Sequence, residues 1–186
     1  MKDPVILTPP LTDADLESLT IGDRVLITGT IYTARDAAHK RLVQLLAENR
    51  PLPFDLGGQI IYYMGPSPAK PGQAIGAAGP TSSYRMDAYA PELIARGLKG
   101  MIGKGARNRQ VKAAMQLHRA VYFAAIGGAG ALISRCILSS EVIAYPELGA
   151  EAIRRLSVTA LPVFIANDIH GGDLYETGIR TYARKE

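Results

Sequence analysis

The first sixty residues contain short apolar runs separated by polar breaks, a pattern that is typical of β-strands. Residues 5–8 form one such run, and residues 24–33 form a longer β-branched run that follows a Gly-Asp turn. The segment TDAD at residues 12–15 predicts the start of a brief helix. Residues 59–64 form a third apolar run before a segment rich in proline and glycine. The opening therefore predicts three strands and a short helix.

Helical periodicity is clearest at residues 34–48, where Ala38, Leu42, Leu45 and Leu46 fall on one face. Farther along, helices are predicted at residues 86–96, 108–119, 128–135 and 147–156, and strands at residues 100–103, 121–125, 137–144 and 162–167. This alternation favours a parallel sheet with crossover helices, beside an antiparallel portion from the opening. The sequence thus predicts an α/β fold with a mixed, partly parallel sheet, in a single domain over residues 1–186.

The net charge of the chain excludes few classes of binding partner. The net charge is +4, and no block of five or six basic residues concentrates it. Such a mild excess fits an anionic substrate or an acidic partner as well as it fits nucleic acid. The chain has three phenylalanines, no tryptophan and no interleaving of basic with aromatic residues, which argues against nucleic-acid binding.

Cys136 is the single cysteine of the sequence. One thiol excludes an internal disulfide and does not suffice for an iron–sulfur cluster, which needs three or four thiolates. The three histidines are far apart in sequence, so no metal site within this chain is expected. The longest apolar run, residues 120–133, is shorter than a membrane helix requires, and the N-terminus lacks a signal-peptide pattern. A cytoplasmic protein without a membrane span is therefore predicted.

A cation follows the predicted end of a strand at three places: Arg35, Arg85 and Lys104. Ligands of open α/β sheets bind at strand ends. An arginine binds a carboxylate through two hydrogen bonds and a lysine adds a point charge, so the three together predict a site for a small dicarboxylate. Taken singly, a loop cation is more often a solvated surface residue, and the hydroxyls of residues 81–83 more often cap the helix that follows.

Two glycine-rich turns superficially resemble nucleotide-binding loops. The turn at residues 103–105 lacks the Ser or Thr that follows the lysine of a phosphate-binding loop. The turn at residues 127–130 has Ile133 in place of the third glycine of the dinucleotide fingerprint. Both turns are therefore interpreted as tight strand-to-helix connections.

Four segments resemble a known family: TGTIYTARDAAHKRL at residues 28–42, GPTSSYRMD at 79–87, GKGARNRQV at 103–111 and AYPELGAEAI at 144–153. In matching order over residues 5–176, the chain resembles the β subunit of two-subunit class I fumarate hydratase. The same module forms the C-terminal domain of the single-chain class I enzymes, and the β subunit of L-tartrate dehydratase is a close relative. The segments AIGGAGALIS and YPELG look more like the fumarase branch than the tartrate branch.

The resemblance implies a swivelling-type β/β/α domain and a hydro-lyase that hydrates fumarate reversibly to (S)-malate. It also implies a [4Fe–4S] cluster held by three cysteines of an α subunit, so that this chain is active only with that partner, in a higher-order hetero-oligomer. The lone Cys136 agrees with a half that supplies substrate-binding groups instead of cluster ligands. The alternatives are the β subunit of L-tartrate dehydratase and, in a different class, a non-catalytic carboxylate-binding or scaffold domain.

Four residues receive roles from the resemblance. Thr81 is the expected base that moves the C3 proton, Arg35 and Arg85 are expected to bind the substrate carboxylates, and Lys104 is expected in the same site. A threonine hydroxyl is a poor base at its ordinary pKa, and converging cations favour its ionised form.

The neighbours of these four residues receive no catalytic role. Asp36 is expected to cap a helix or to orient Arg35, and His39 to lie at a cap or on the surface. Glu147 is expected to start a helix and His170 to lie in a hairpin turn. Tyr84 departs from the small residues found there in many relatives and is assigned no function.

Overall fold

The computed structural model describes residues 3–184. Over these residues the chain forms one mixed sheet with the strands β1 (Val5–Leu7), β2 (Arg24–Thr33), β3 (Ile60–Tyr62), β4 (Gly100–Gly103), β5 (Val121–Ala124), β6 (Ile137–Ala144) and β7 (Ile153–Asn167). Its helices are α1 (Asp13–Glu17), α2 (Asp36–Ala47), α3 (Ala90–Ala95), α4 (Arg109–His118), α5 (Gly130–Ile133) and α6 (Leu174–Tyr182), with 3₁₀ helices at Ser83–Met86, Ser134–Cys136 and Pro146–Glu151. The predicted α/β class with a mixed sheet is confirmed.

The strand order is β1-β2-β3-β4-β5-β7-β6, and β2 pairs additionally with β7. The strands β2, β3, β4, β5 and β7 therefore form a closed ring of pairings. Neighbouring strands from β1 to β5 are parallel, whereas β7 runs antiparallel to β2, β5 and β6. An antiparallel portion was expected from the opening. The strands of the opening pair with one another in parallel, but β2 also takes part in the antiparallel portion through β7, which comes from the end of the chain. The connection from β1 to β2 passes through α1 and is long enough for a parallel crossover.

Two hydrophobic clusters cover the two faces of the parallel strands. Ile60 and Tyr62 of β3 belong to the first cluster, which the strands of the ring enclose. Ile61 belongs to the second, between the sheet and helices that contribute Leu42 and Leu93. Successive side chains of a strand point to opposite faces, so every residue of this short central strand is buried. The parallel strands are thus anchored in apolar packing on both faces.

The prediction of a helix at residues 147–156 is wrong. A 3₁₀ helix, Pro146–Glu151, contains Gly149 with φ 59° and ψ −114°, a backbone conformation that interrupts helical geometry. From Ile153 the chain enters β7, which is hydrogen-bonded to β2 on one side and to β6 on the other. The strand predicted at residues 162–167 is only the end of this fifteen-residue strand.

The predicted ends of the other strands and helices agree with the structure to different degrees. The strands predicted at residues 24–33, 100–103 and 137–144 coincide with β2, β4 and β6. Helix α3 begins at Ala90, later than predicted, because the preceding residues form the 3₁₀ helix Ser83–Met86. Helix α6 was not predicted, although Asp173 caps it by accepting hydrogen bonds from the N–H groups of Tyr175 and Glu176. His170 lies, as expected, in a turn, which connects β7 to α6 and is closed by an antiparallel bridge between Asn167 and Asp173.

None of the helices within residues 3–184 combines the length and the apolar character needed to cross a bilayer.

Candidate active site

The carboxyl ends of β2, β3 and β4 meet at one edge of the sheet. These strands are parallel neighbours in register, with Thr33 opposite Tyr62 and Tyr62 opposite Ile102. Arg35 follows the end of β2, and Lys104 directly follows the end of β4. Two of the four predicted site residues therefore flank the exit of β3, at the edge where α/β sheets bind ligands.

The backbone of residues 79–87, here called the threonine segment, is attached to this same edge. The N–H of Thr81 donates to the carbonyl of Tyr63 at 2.7 Å, and the N–H of Lys104 donates to the carbonyl of Thr81 at 3.3 Å. The N–H of Ser83 donates to the carbonyl of Lys104 at 2.9 Å. Thr81 thus lies between the exits of β3 and β4, next to the lysine segment, residues 103–108.

The hydroxyls of the threonine segment do not cap a helix. Ser82 occupies the N-cap position of the 3₁₀ helix, and its side chain makes no capping hydrogen bond. The partly buried Thr81 hydroxyl has no hydrogen-bond partner among residues 3–184. Ser83 is buried and its Oγ lies 2.8 Å from the Tyr122 hydroxyl. The capping interpretation is therefore wrong, and the Thr81 hydroxyl is available to a ligand.

Arg85 is paired with an acidic residue from the start of α2. Its Nη1 atom lies 3.4 Å from Oδ2 of Asp36, and both side chains are about one-third exposed. Asp36 was expected to cap the helix or to orient Arg35, and the structure instead pairs it with the other arginine. This ion pair holds the 3₁₀ helix of the threonine segment against the N-terminus of α2.

The acidic partner of Arg35 comes from a distant part of the chain. Nη2 of Arg35 lies 3.3 Å from Oε1 of Glu151, whose Oε2 accepts a hydrogen bond from the N–H of Ala37 at 3.0 Å. The guanidinium also passes over Gly65, where an added Cβ would lie 2.5 Å from Nη1. Glu151 therefore both caps α2 and holds Arg35 close to the exit of β3.

His39 supports Arg35 from inside the protein, although it was expected at a cap or on the surface. The imidazole is completely buried, and Nδ1 lies 3.0 Å from the carbonyl oxygen of Arg35, so Nδ1 carries the proton. The ring also meets Tyr63 edge-on at 5.2 Å between centroids. Burial, with a smaller contribution from the Arg107 cation, lowers the pKa of His39 to about 4, although the hydrogen bond to the Arg35 carbonyl acts in the opposite direction. His39 is therefore neutral at physiological pH.

Lys104 is exposed and has no ion-pair partner within the described part of the chain. Its Cδ atom lies 3.8 Å from the position of a Cβ added to Gly127. The glycine-rich turn after β5 therefore borders the site, in agreement with its interpretation as a tight connection. A small turn beside Lys104 leaves room for a ligand near the ammonium group.

A buried polar network lies beneath the two segments. The Tyr122 hydroxyl donates to the carbonyl of Gly105 at 2.9 Å and so accepts a hydrogen bond from Ser83. Asp87 accepts a hydrogen bond from Nε of Arg107 at 2.7 Å. Sequence reasoning missed these partners and Glu151, although Asp87, Arg107 and Glu151 stand within the four motifs that carry the resemblance.

The chain's own residues do not fit an iron–sulfur cluster. Cys136 is a free thiol that is partly exposed, and burial raises its pKa. Within residues 3–184 no group of three or more His, Cys, Asp or Glu side chains is placed to hold a metal ion. The site gathers cations and a hydroxyl, which is the donor set for an anionic substrate.

Comparison with known proteins identifies the family. The sequence matches the family described as Fumarase C-terminus over residues 2–178. The aerobic class I fumarate hydratase of Escherichia coli K12 is 38% identical over 165 residues, a match that covers 88% of this chain and 30% of that protein. The L(+)-tartrate dehydratase subunit beta of the same organism is 31% identical over 185 residues, covering 97% of this chain and 90% of that subunit.

A putative L(+)-tartrate dehydratase subunit beta of Methanocaldococcus jannaschii is 36% identical over 172 residues, covering 89% of this chain and 88% of that protein. The match spans under a third of the E. coli fumarate hydratase and most of both tartrate dehydratase subunits. The relatives are hydro-lyases of two kinds, and the family resemblance seen in the four motifs is confirmed. The chain belongs to the Fumarase C-terminus family.

Proposed function

We propose that this chain is the β subunit of a class I fumarate hydratase, which interconverts fumarate and (S)-malate together with an α subunit. The observation that carries the proposal is the gathering of Arg35, Thr81, Arg85 and Lys104 around the exits of β2, β3 and β4. Three cations beside one hydroxyl match a substrate with two carboxylates and one transferable proton. A non-catalytic carboxylate-binding or scaffold domain would explain the cations but not the unpaired hydroxyl of Thr81.

In this proposal Arg35 and Arg85 bind the two substrate carboxylates. Glu151 approaches Nη2 of Arg35 and Asp36 approaches Nη1 of Arg85, which leaves the other terminal nitrogen of each guanidinium for a carboxylate. A guanidinium donates in a fixed plane, and an arginine whose plane is held in advance loses less conformational entropy when it binds. The two ion pairs therefore preorganise the arginines for a dicarboxylate.

Thr81 is proposed to take the C3 proton of malate. The hydroxyl is a weak base alone, and positive charge from Lys104 and Arg85 favours its ionised form. Loss of the C3 proton places negative charge on the adjacent carboxylate, and the same cations stabilise that charge.

We propose that the α subunit holds the cluster. We also propose that the complex is cytoplasmic. The closed ring of strands with helices on one face fits the expected swivelling-type β/β/α domain.

The similar identity of the tartrate dehydratase subunits supports a second candidate, an L-tartrate dehydratase β subunit. Co-expression with a cluster-bearing partner, followed by anaerobic assay with malate and with L-tartrate, tests both. Fumarate hydratase activity predicts that kcat/KM for malate exceeds that for tartrate by about 10²-fold, the discrimination that a site typically achieves against one added hydroxyl. The reverse ratio assigns the tartrate reaction. A complex with an intact cluster and neither activity supports the scaffold alternative.

A further inference from the structure

Asp87 and Arg107 form an ion pair buried beneath the candidate site. Nε of Arg107 donates to Oδ1 of Asp87 at 2.7 Å, and the two side chains are 0% and 6% exposed. The second oxygen of Asp87 accepts the N–H of Asn108 at 2.7 Å. The guanidinium lies over the rings of Tyr63 and Tyr122, at 5.3 and 5.0 Å from their centroids. Both charges are thus enclosed and directed toward each other.

A buried ion pair is a poor way to stabilise a fold. Removing two charges from water costs free energy that their attraction often fails to return, and apolar replacements of similar volume are often equally stable. The place of this pair in the fold suggests another purpose. Asp87 ends the threonine segment, two residues after Arg85, and Arg107 belongs to the lysine segment, three residues after Lys104.

Further contacts join the same two segments, in addition to the backbone hydrogen bonds of Lys104 with Thr81 and Ser83. Ser83 of the threonine segment donates to the Tyr122 hydroxyl, which donates in turn to the carbonyl of Gly105 in the lysine segment. Gly103 approaches Ser83 so closely that a Cβ there would overlap Oγ. The two segments are therefore joined at both ends of the 3₁₀ helix that carries Arg85. Together the contacts leave little freedom for Arg85 to move relative to Lys104.

We propose that Asp87 and Arg107 are positioning residues that fix the spacing between Arg85 and Lys104. The inference rests on the proposed function, because the spacing matters only if Arg85 and Lys104 bind the same substrate. Neither Asp87 nor Arg107 needs to touch the substrate. The pair acts by holding one segment against the other, so that both cations reach the same ligand.

The test uses Asp87→Asn, Arg107→Met and the double variant, each in complex with the cluster-bearing partner. Each single change leaves a buried group without its partner and lowers both Tm and kcat/KM. The double variant removes both charges and regains much of the Tm, since no unpaired charge remains. Its kcat/KM stays about 10- to 100-fold below wild type, because the spacing is not restored. A double variant that regains both Tm and kcat/KM overturns the proposal, as do single variants with wild-type kcat/KM.

The exposed pair of Arg155 and Glu141, with N and O atoms 2.6 Å apart, provides the matched control. The double variant Glu141→Gln/Arg155→Met should keep wild-type kcat/KM.

Amide exchange on the full chain gives a readout that needs no turnover. In Asp87→Asn and in Arg107→Met, exchange should quicken in both segments, residues 79–87 and 103–108. Faster exchange confined to the segment that carries the substitution overturns the proposal. If the wild-type complex converts no substrate, the proposed function fails, and the exchange experiment still decides whether the pair couples the segments.

Discussion

Oδ2 of Asp36 lies 3.4 Å from Nη1 of Arg85, although Asp36 adjoins the other candidate arginine, Arg35, in the sequence. Arg35 is held instead by Glu151, at 3.3 Å. The start of α2 therefore links two parts of the chain that are distant in sequence. This crossed arrangement places each proposed carboxylate-binding arginine beside one acidic residue.

Arg35→Met and Arg85→Met should each impair carboxylate recognition. Losing one partner of a desolvated charge pair costs on the order of 2–5 kcal/mol, so kcat/KM should fall by tens- to thousands-fold. The complex should still assemble and retain its iron, which metal analysis checks. Arg41→Met is the control on the same helix, since Arg41 pairs with the exposed Glu147 and should change kcat/KM by no more than about twofold. Wild-type kinetics in both site variants would place the substrate elsewhere.

Asp36→Asn tests whether the acidic partners orient the arginines. The substitution keeps the shape of the side chain and removes the charge that holds Arg85. Because the pair is partly exposed, its loss costs up to about 1 kcal/mol, and KM for the dicarboxylate should rise by up to about fivefold with kcat little changed. Steady-state kinetics of the complex measure both constants. A lowered KM would show that Asp36 competes with the substrate for Arg85.

His39 should make the stability of the chain depend on pH. Burial, with a smaller contribution from Arg107, lowers the pKa in the folded state to about 4, against an ordinary value of 6.5. Between these values the unfolded state binds a proton that the folded state does not. The free energy of unfolding should therefore be fully maintained above pH 6.5 and fall by roughly 3 kcal/mol as the pH drops toward 4.

Urea unfolding of wild type and His39→Phe across this pH range checks the effect of His39. The variant lacks the titrating group, so its stability should fall less steeply with decreasing pH, whatever its absolute stability. Equal slopes in the two proteins would contradict a buried neutral imidazole.

Thr81→Ala separates a catalytic hydroxyl from a structural one. A proton-transfer role predicts a kcat lowered by roughly 10²-fold or more, while the substrate still binds through the cations. Thr81→Ser keeps the hydroxyl and should retain part of the rate. Exchange of the C3 proton of malate into deuterated water should fall together with kcat in the alanine variant. A lowered Tm with an unchanged kcat would assign Thr81 a structural role and place the base in the partner.

The sequence allowed prediction of those parts of the site that depend on local pattern. The strands β2 and β4 have β-branched or apolar runs ended by clear turns, and their ends place Arg35 and Lys104 at one sheet edge. The partners of the arginines were not predictable, because no local pattern indicates that Glu151 approaches Arg35. Residues 153–156 were predicted as the end of a helix, but they begin β7, whose pairing with β2 and β6 overrides the helical appearance of that stretch.

The burial of His39 was likewise not predictable from the local sequence pattern. Its position one turn into an amphipathic helix is compatible with either face, and its polar side chain suggested the surface. Its burial comes from tertiary packing, with the rings of Tyr63 and Tyr89 beside the imidazole. The structure thereby converts an expected surface residue into a neutral group that contacts the backbone of Arg35.

In the proposed enzyme, this chain supplies the cations and the hydroxyl, and a partner supplies the cluster. Anaerobic reconstitution of the purified chain with iron and sulfide, without and then with the partner, tests this division most directly. Because one thiol cannot replace three ligands, the chain alone should show neither stoichiometric [4Fe–4S] absorbance nor conversion of malate, and both should appear when the partner is added. Stoichiometric cluster absorbance or malate turnover by the chain alone would contradict the assignment of the cluster to a partner.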